Sequence, residues 1–284
     1  MVHELPLERR TLHGHFSRDL PPALELEPGD SVRFATPNAG WWLEDGTQFA
    51  PLSSPEDDGH ALAGPFFVRG ARAGQTLVVG IDEVVAGTWG ETYGADLRVR
   101  WELDGEVGVT PGGRRVRLAP FLGVLGMPPA GGGLHSTTPP RPHGGNIDCK
   151  ELVAGTTLYL PVPVDGALFS AGDGHAAQGD GEVSGTAIEC PACAQLTLDV
   201  RDDLPLDWPC ARIDGAWLAF GFDEDLGAAA WKATEGILAV LAREHGLKRR
   251  EALALASVVV DLRVTQIVNT SLGVHAVLRD DALV

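Results

Sequence analysis

"ALELEPGDSVRFAT", residues 23–36, alternates apolar and polar side chains, breaks at Pro28-Gly29-Asp30 and then alternates again. A period of two puts one face of an extended chain on a core, and Pro-Gly-Asp is turn chemistry, so the segment reads as strand, turn, strand. "GPFFVRGARAGQTLVVGIDEV" (64–84) repeats the layout with its turn at Ala73-Gly74, and "ADLRVRWELDGEVGV" (95–109) adds a third pair. Further strand patterns occupy "TTLYLPVPV" (156–164), "GALFSAGDG" (166–174), "GTAIECPACAQLTLDV" (185–200) and "AWLAFGF" (216–222). Helical spacing begins only late. In 223–247, Leu226, Ala230, Ile237, Leu238, Leu241 and Ala242 recur near a 3.6-residue period. Acids open that segment, Arg243 and His245 lie in its last turn, and Gly246 stops it. "KRREALALASVVVDL" (248–262) predicts a second helix, and "VTQIVN" and "GVHAVL" predict closing strands. The expected fold is mainly β with an α+β C-terminal part: a β-sandwich or jelly-roll-like core, with two helices late in the chain.

Residues 127–145 hold five prolines and five glycines without periodicity, the composition of a long loop. That loop divides the expectation into an N-terminal β domain (1–126) and a β-rich catalytic part carrying the helices (146–284). No repeat at a fixed period of about 20–50 residues is visible.

The formal charge is −17, from 39 acids against 22 bases, on an ordinary globular balance of 44% hydrophobic residues. So negative a surface repels phosphate backbones and anionic headgroups, which excludes nucleic acid and membrane surfaces as partners and favours a neutral or cationic small molecule. No apolar run approaches the roughly 18 residues of a spanning helix. "MVHELPLERRTLHGHFS" lacks the apolar region of a secretory signal, and four cysteines make no disulfide framework, so a cytoplasmic setting with free thiols is expected.

"AGDGHAAQGDGE", residues 171–182, packs four glycines, Asp173, Asp180, Glu182 and His175 into a stretch too glycine-rich to read as a regular helix or strand. Glycines let the backbone turn tightly and approach a ligand, and carboxylates with an imidazole are the donors a divalent ion such as zinc takes. The bland alternative is an acidic surface hairpin built on Gly-Asp turns. Upstream, "HGGNIDCKEL" (143–152) adds His143, Asn146, Asp148 and Lys150. Asn146, Asp148 and Lys150 alternate and would share a face of an extended chain, where a buried Asp148 beside a lysine would stay ionised. The two ligand-rich segments are joined by "TTLYLPVPV" and are expected to meet as neighbouring strand ends.

"HGGNIDCKELVAGTTLYLPVPVDGALFSAGDGHAAQGDGEVSGTAIE" (143–189), together with "GPFFVRGARAGQTLVVGI", resembles the acetamidase/formamidase family and its pattern G-G-N-x-D followed by G-D-x-H-x-x-x-G-D-G-E-x-x-G-T-A-I-E. The likeness extends to "TLHGHFSRDLPPALELEPGDSVRF" near the start and "ASVVVDLRVTQIVN" near the end. It implies hydrolysis of a short aliphatic amide such as formamide or acetamide, a largely β fold with a smaller α+β part, and a homodimer. Asn146, Asp148, Asp173, His175, Asp180, Glu182 and Glu189 fall on the family's pattern. Asn38 stands where members often carry Asp, Ser184 where a cysteine is frequent, and "ETYGADLRVRW" is short against the aromatic loops of many members.

Amide hydrolysis without a nucleophile motif points to a metal-polarised water with a carboxylate that moves the proton. Asp148 and His175 are expected to hold the metal with Asp173 or Glu182, the remaining acid acting as base. The assignment adopted is Asp148, His175 and Asp173 as metal ligands, with Glu182, Asp180, Asn146 and Lys150 as catalytic groups. Zinc fits this set, and calcium would fit carboxylates alone. His13 and His15 form an H-x-H pair that either chelates or is simply solvated; His60 and His135 read as loop residues, and His275 as a satisfied core histidine. Cys190-Pro-Ala-Cys193 has no second pair for a structural zinc and no helix after it for a redox motif, so all four cysteines read as incidental thiols. Ser170 and Ser184 lack a G-x-S-x-G elbow. Trp41, Trp42 and Trp89 lie in loop-like segments where they stack on a ligand or fill the core. Two rivals remain: a non-catalytic β-sandwich that binds a metal or small polar ligand, and a hydrolase of another C–N or carbohydrate substrate on the same scaffold.

Overall fold

The structure, a computed structural model, describes residues 1–283. A nine-stranded sheet runs in the order Val2–Leu5, Asp30–Thr36, Ala192–Arg201, Thr76–Ala86, Thr157–Pro161, Cys210–Ile213, Ala216–Asp223, Leu272–Arg279, Val260–Gln266. Facing it, a second sheet takes the order Gly144–Asn146, Phe121–Gly126, Phe169–His175, Leu62–Val68, Leu12–His13, with Leu24–Leu26 beside Leu62–Val68. A four-stranded ribbon, Arg115–Arg117, Val107–Val109, Leu97–Asp104, Trp89–Gly94, completes the β part. The period of two is what builds the core. Ala192, Ala194, Leu196 and Leu198 alternate inward with Leu77, Val79 and Ile81 beside them, and they pack with Phe66, Val68, Phe169 and Ala171 of the facing sheet. Each fully buried Val, Leu, Ile or Phe side chain among them contributes about 1.5–3 kcal/mol.

Two of the three expected strand pairs are not hairpins. Leu24–Leu26 joins the smaller facing sheet and Asp30–Thr36 the large one; Leu62–Val68 and Thr76–Ala86 divide the same way. The Gly turns are therefore corners at which the chain crosses the sandwich. Only Leu97–Asp104 and Val107–Val109 form the expected hairpin. The large sheet draws strands from both sides of residues 127–145.

Helix α1 (Leu226–His245) lies within the expected span, capped by the Asp225 carboxylate accepting from the Ala228 amide at 2.8 Å and ended by Gly246 in the left-handed region (φ 65°). Its Ala229, Ala233, Ile237 and Leu241 stripe packs on Ala219, Val274 and Ala276 of the large sheet. Helix α2 (Arg249–Val259) stops earlier than expected, because residues from Val260 to Gln266 pair as an edge strand with Leu272–Arg279. Val258-Val259-Val260 is β-branched, and edge pairing outweighs the helical pattern there. Among the described residues no helix is long and apolar enough to cross a membrane.

His13 and His15 are buried rather than solvated. His13 donates from Nδ1 to the His15 carbonyl at 2.6 Å and accepts at Nε2 from the Ser170 hydroxyl at 2.9 Å, while His15 Nδ1 bonds the Glu56 carbonyl at 2.8 Å. Burial outweighs these contacts and lowers the His13 pKa from 6.5 to about 4. Folded His13 therefore binds fewer protons than unfolded His13. Its contribution is whole above pH 6.5 and shrinks as pH falls towards about 4, by about 3 kcal/mol in all. His13→Gln does not titrate at this position and is expected to flatten that part of the stability profile in urea; an unchanged profile refutes the assignment.

Candidate active site

The stretch at 171–182 begins as a strand despite its glycines, Phe169–His175. Gly172 and Gly174 have no room for a Cβ, because the Ala61 carbonyl and the Ala192 methyl already stand there. Between them Asp173 turns left-handed (φ 63°) inside the strand, a conformation that costs of order 1 kcal/mol or more and persists where the surroundings enforce it. Asp148 (φ 51°) and Glu182 (φ 44°) share this strain. The turn at Asp148 also breaks the expected alternation of Asn146, Asp148 and Lys150: the strand Gly144–Asn146 ends first, and Lys150 pairs outward with Asp180 at 2.9 Å.

The two ligand-rich segments meet across a third strand rather than side by side. Phe121–Gly126 lies between Gly144–Asn146 and Phe169–His175, and its Gly123 opens the space in which they converge. A Cβ at Gly123 would stand 2.6 Å from Asp173 Oδ2, 2.7 Å from Asp148 Oδ1 and 2.8 Å from His175 Cε1. Around this point is a cavity of about 170 Å³, whose walls include Asn146, Asp148, Asp173, His175, Glu182 and Glu189. Asp180 and Lys150 do not line it.

His175 is the hub. Its ring, 1% exposed, meets the edge of Phe121 with centroids 5.0 Å apart and is bridged through its backbone to Glu189. Nε2 stands 3.4 Å from Asp173 Oδ1 and 3.3 Å from Glu189 Oε2, and Nδ1 stands 4.0 Å from Asp148 Oδ1. The three expected metal ligands thus do not form one triad. They divide into Asp173–His175–Glu189 on one edge of the imidazole and Asp148–His175–Glu182 on the other.

Electrostatics sharpen the division. Burial and the nearby Glu182 push Asp148 well above the usual carboxylate range, and the lysine expected beside it does not offset this, because Lys150 is turned out to Asp180. Burial pushes Glu182 up to about 7 against the pull of His175, and burial raises Glu189 as well. Burial opposes the ionisation of Asp173, yet His175 and His60 outweigh it and hold this carboxyl below its ordinary value. Burial would lower His175, but Glu189 and Asp173 raise it well above 6.5. The cavity is a concentrated negative field around one imidazole.

Such a field suits a divalent cation, and the donor atoms fit one. Asp148 Oδ1, Asp173 Oδ1, Glu182 Oε2, Glu189 Oε2, His175 Nδ1 and Asn146 Oδ1 are buried without hydrogen-bond partners among the described residues. An ionic imidazolium–carboxylate bond would be roughly 2.7–2.9 Å long. The separations of 3.3 and 3.4 Å are longer, and equal the roughly 3.3–3.5 Å between ligands that each stand about 2.0–2.1 Å from a tetrahedral ion.

Outer contacts hold these groups still. Asn269 Nδ2 donates to Asp148 Oδ2 (3.1 Å) and to Gln266 Oε1 (2.8 Å), and Gln266 Nε2 donates to the Asn146 carbonyl (2.8 Å). Glu189 Oε1 accepts from the Ala187 amide at 2.8 Å, and its backbone is bridged to Glu91, whose buried carboxylate takes Arg98, Arg100 and Tyr93. At the mouth stand Asn38, Trp42, His60 and Tyr93, with Trp42 38% exposed. Trp41 and Trp89 are instead core residues. His60, read from sequence as a loop residue, and Asn269, not singled out there, both line the cavity; nothing local marks either. Gly123 did carry a signal: a glycine interrupting the apolar run from Phe121 to Leu125.

A family model described as the Acetamidase/Formamidase family matches residues 113–211. The acetamidase of Mycolicibacterium smegmatis is 50% identical over 48 residues, a match that spans 17% of this chain and 12% of that protein. The crystal structure of an acetamidase from Yersinia enterocolitica superposes with a TM-score of 0.87 at 25% identity, over 100% of this chain and 93% of that one. The acetamidase from Bacillus halodurans superposes with a TM-score of 0.85 over 98% of this chain. At 31% identity across 97% of that Bacillus protein, the chain belongs to the acetamidase/formamidase family.

Proposed function

We propose that this protein hydrolyses a short aliphatic amide, of the size of formamide or acetamide, to a carboxylate and ammonia. The observation that carries the reading is the cavity's donor set: more buried carboxylates with an unpartnered oxygen than one cation needs, in about 170 Å³. A binding module requires ligands; it has no use for a spare acid of shifted pKa.

Asp173, His175 and Glu189 would hold a divalent cation, zinc by its mixed N/O donors, with Asp148 facing the free edge of the imidazole. Bound there, such an ion would supply a water of lowered pKa and polarise the carbonyl. The remaining work falls to the chain. Glu182, with its pKa near 7, takes the proton of the attacking water and returns it to the nitrogen, because an amine leaves poorly unless protonated. Asn146 Oδ1 is a free acceptor for the substrate's N–H. Trp42 and Tyr93 narrow the mouth, and the cavity is smaller than the roughly 300 Å³ at which drug-sized pockets begin, so acyl groups beyond a few carbons are excluded.

The test is ammonia release from formamide, acetamide and hexanamide, with and without prior chelation. Turnover of the first two, lost on chelation and restored by zinc, is expected. Metal binding with no ammonia from any amide would make this a binding module.

A further inference from the structure

A second cluster of ligand atoms lies behind the cavity wall. Cys149 Sγ stands 3.2 Å from Glu151 Oε2, which stands 3.8 Å from His275 Nε2, and the three ligand atoms all lie within 4.8 Å of one another. The left-handed turn at Asp148 is what separates the two clusters (φ 51°). Successive side chains diverge there, Asp148 into the cavity and Cys149 towards the strand Leu272–Arg279. We propose that Cys149, Glu151 and His275 form a second cation site that takes a thiophilic divalent ion of the zinc class.

His275 carries the argument. It is 0% exposed, and Nε2 has no hydrogen-bond partner among the described residues, so it is not the satisfied core histidine the sequence suggested. Its Nδ1 meets Thr265 Oγ1 at 2.9 Å. With the Nδ1 proton donated to that hydroxyl, Nε2 presents a lone pair to Glu151 and Cys149, the second-contact arrangement typical of metal-bound histidines. Glu151 is divided in the same way: Arg263 takes Oε1 at 3.1 Å and leaves Oε2 facing the thiol and the imidazole. A core that merely tolerates Cys149 and His275 would leave a buried nitrogen unpaired, which costs its desolvation penalty.

The donor set also selects the ion. Sulfur and imidazole suit zinc, cobalt or cadmium, whereas calcium and magnesium take oxygen. Binding would exchange the thiol proton for the metal: the S–H bond breaks, the proton leaves to solvent and the thiolate pair forms the S–metal bond. The ion would tie the 147–152 loop to the edge of the large sheet and so brace Asp148. The site stands whether or not the cavity hydrolyses amides.

Cobalt(II) titrated into the full-length chain, stripped of metal by a chelator, tests the site. Thiolate–cobalt coordination adds a charge-transfer band in the near ultraviolet, which the oxygen- and nitrogen-lined cavity does not produce. The band is expected to saturate within two equivalents, the cavity taking the other ion, to be lost in Cys149→Ser and in His275→Gln, and to persist in Cys190→Ser, whose thiol lies near the cavity. If Cys149→Ser fails to fold by circular dichroism, His275→Gln carries the same test. No band in the wild-type chain, a band that survives either Cys149→Ser or His275→Gln, or a band lost in Cys190→Ser overturns the proposal.

Discussion

Gly123→Ala is expected to lower amide turnover by at least about 100-fold and to release the bound cation, while the sandwich stays folded. The position's backbone accepts alanine, since Gly123 is not among the residues with positive φ. The cost is steric and local. The new methyl would overlap Asp173, Asp148 and His175 together, at 2.6–2.8 Å, and the only room these buried side chains have is the cavity itself, so any retreat moves their ligand atoms. Displacing catalytic groups by about 1 Å costs roughly 100-fold in rate, and three displaced together also lose the geometry that holds an ion. Metal content, kcat/KM for formamide and a thermal melt on one preparation check this. Wild-type turnover in a folded Gly123→Ala variant would mean that the chemistry lies elsewhere.

His175→Ala and Glu182→Gln are expected to fail in different ways. Removing His175 takes the imidazole shared by both ligand groups, so cation and activity disappear together. Glu182→Gln keeps the shape of the cavity and removes the titrating group. The cation is retained while turnover falls by roughly 10²–10⁴, the usual worth of general acid–base catalysis. If Glu182→Gln loses the metal and Glu189→Gln keeps it, the ion sits on the Asp148 edge of the imidazole and the two glutamates exchange roles. If neither His175→Ala nor Glu182→Gln slows the reaction, the cavity is not the active site.

Much of this was legible in one dimension. Period-two alternation in 23–36, 64–84 and 185–200 and the late helical spacing depend on neighbours in sequence, so strands, helix α1 and its Gly246 stop could be read directly. Which strands pair could not. Leu24–Leu26 and Asp30–Thr36 look like a hairpin because a turn signal separates them, yet a corner between two sheets uses the same residues. The second helix was expected to run through Leu262, but the free edge beside Leu272–Arg279 claimed residues from Val260 onward.

The site divides along the same line. Residue type marked Asn146, Asp148, Asp173, His175 and Glu182 as candidate ligand chemistry, with an acidic surface hairpin as the alternative for 171–182. Their roles were decided in three dimensions. Spacing drew Lys150 beside Asp148, whereas a left-handed turn sends Lys150 out to Asp180 and leaves Asp148 buried, its carboxyl pushed above the ordinary range. Nothing between residues 175 and 189 says that Glu189 returns to the imidazole; a backbone bridge between sheet edges does that. Composition and periodicity determined the elements and the donor inventory, since both are properties of neighbouring residues. Which donors share an imidazole, which face solvent and which are pushed off their ordinary pKa depends on burial and through-space distance, and only the packing of the two sheets around Gly123 set those.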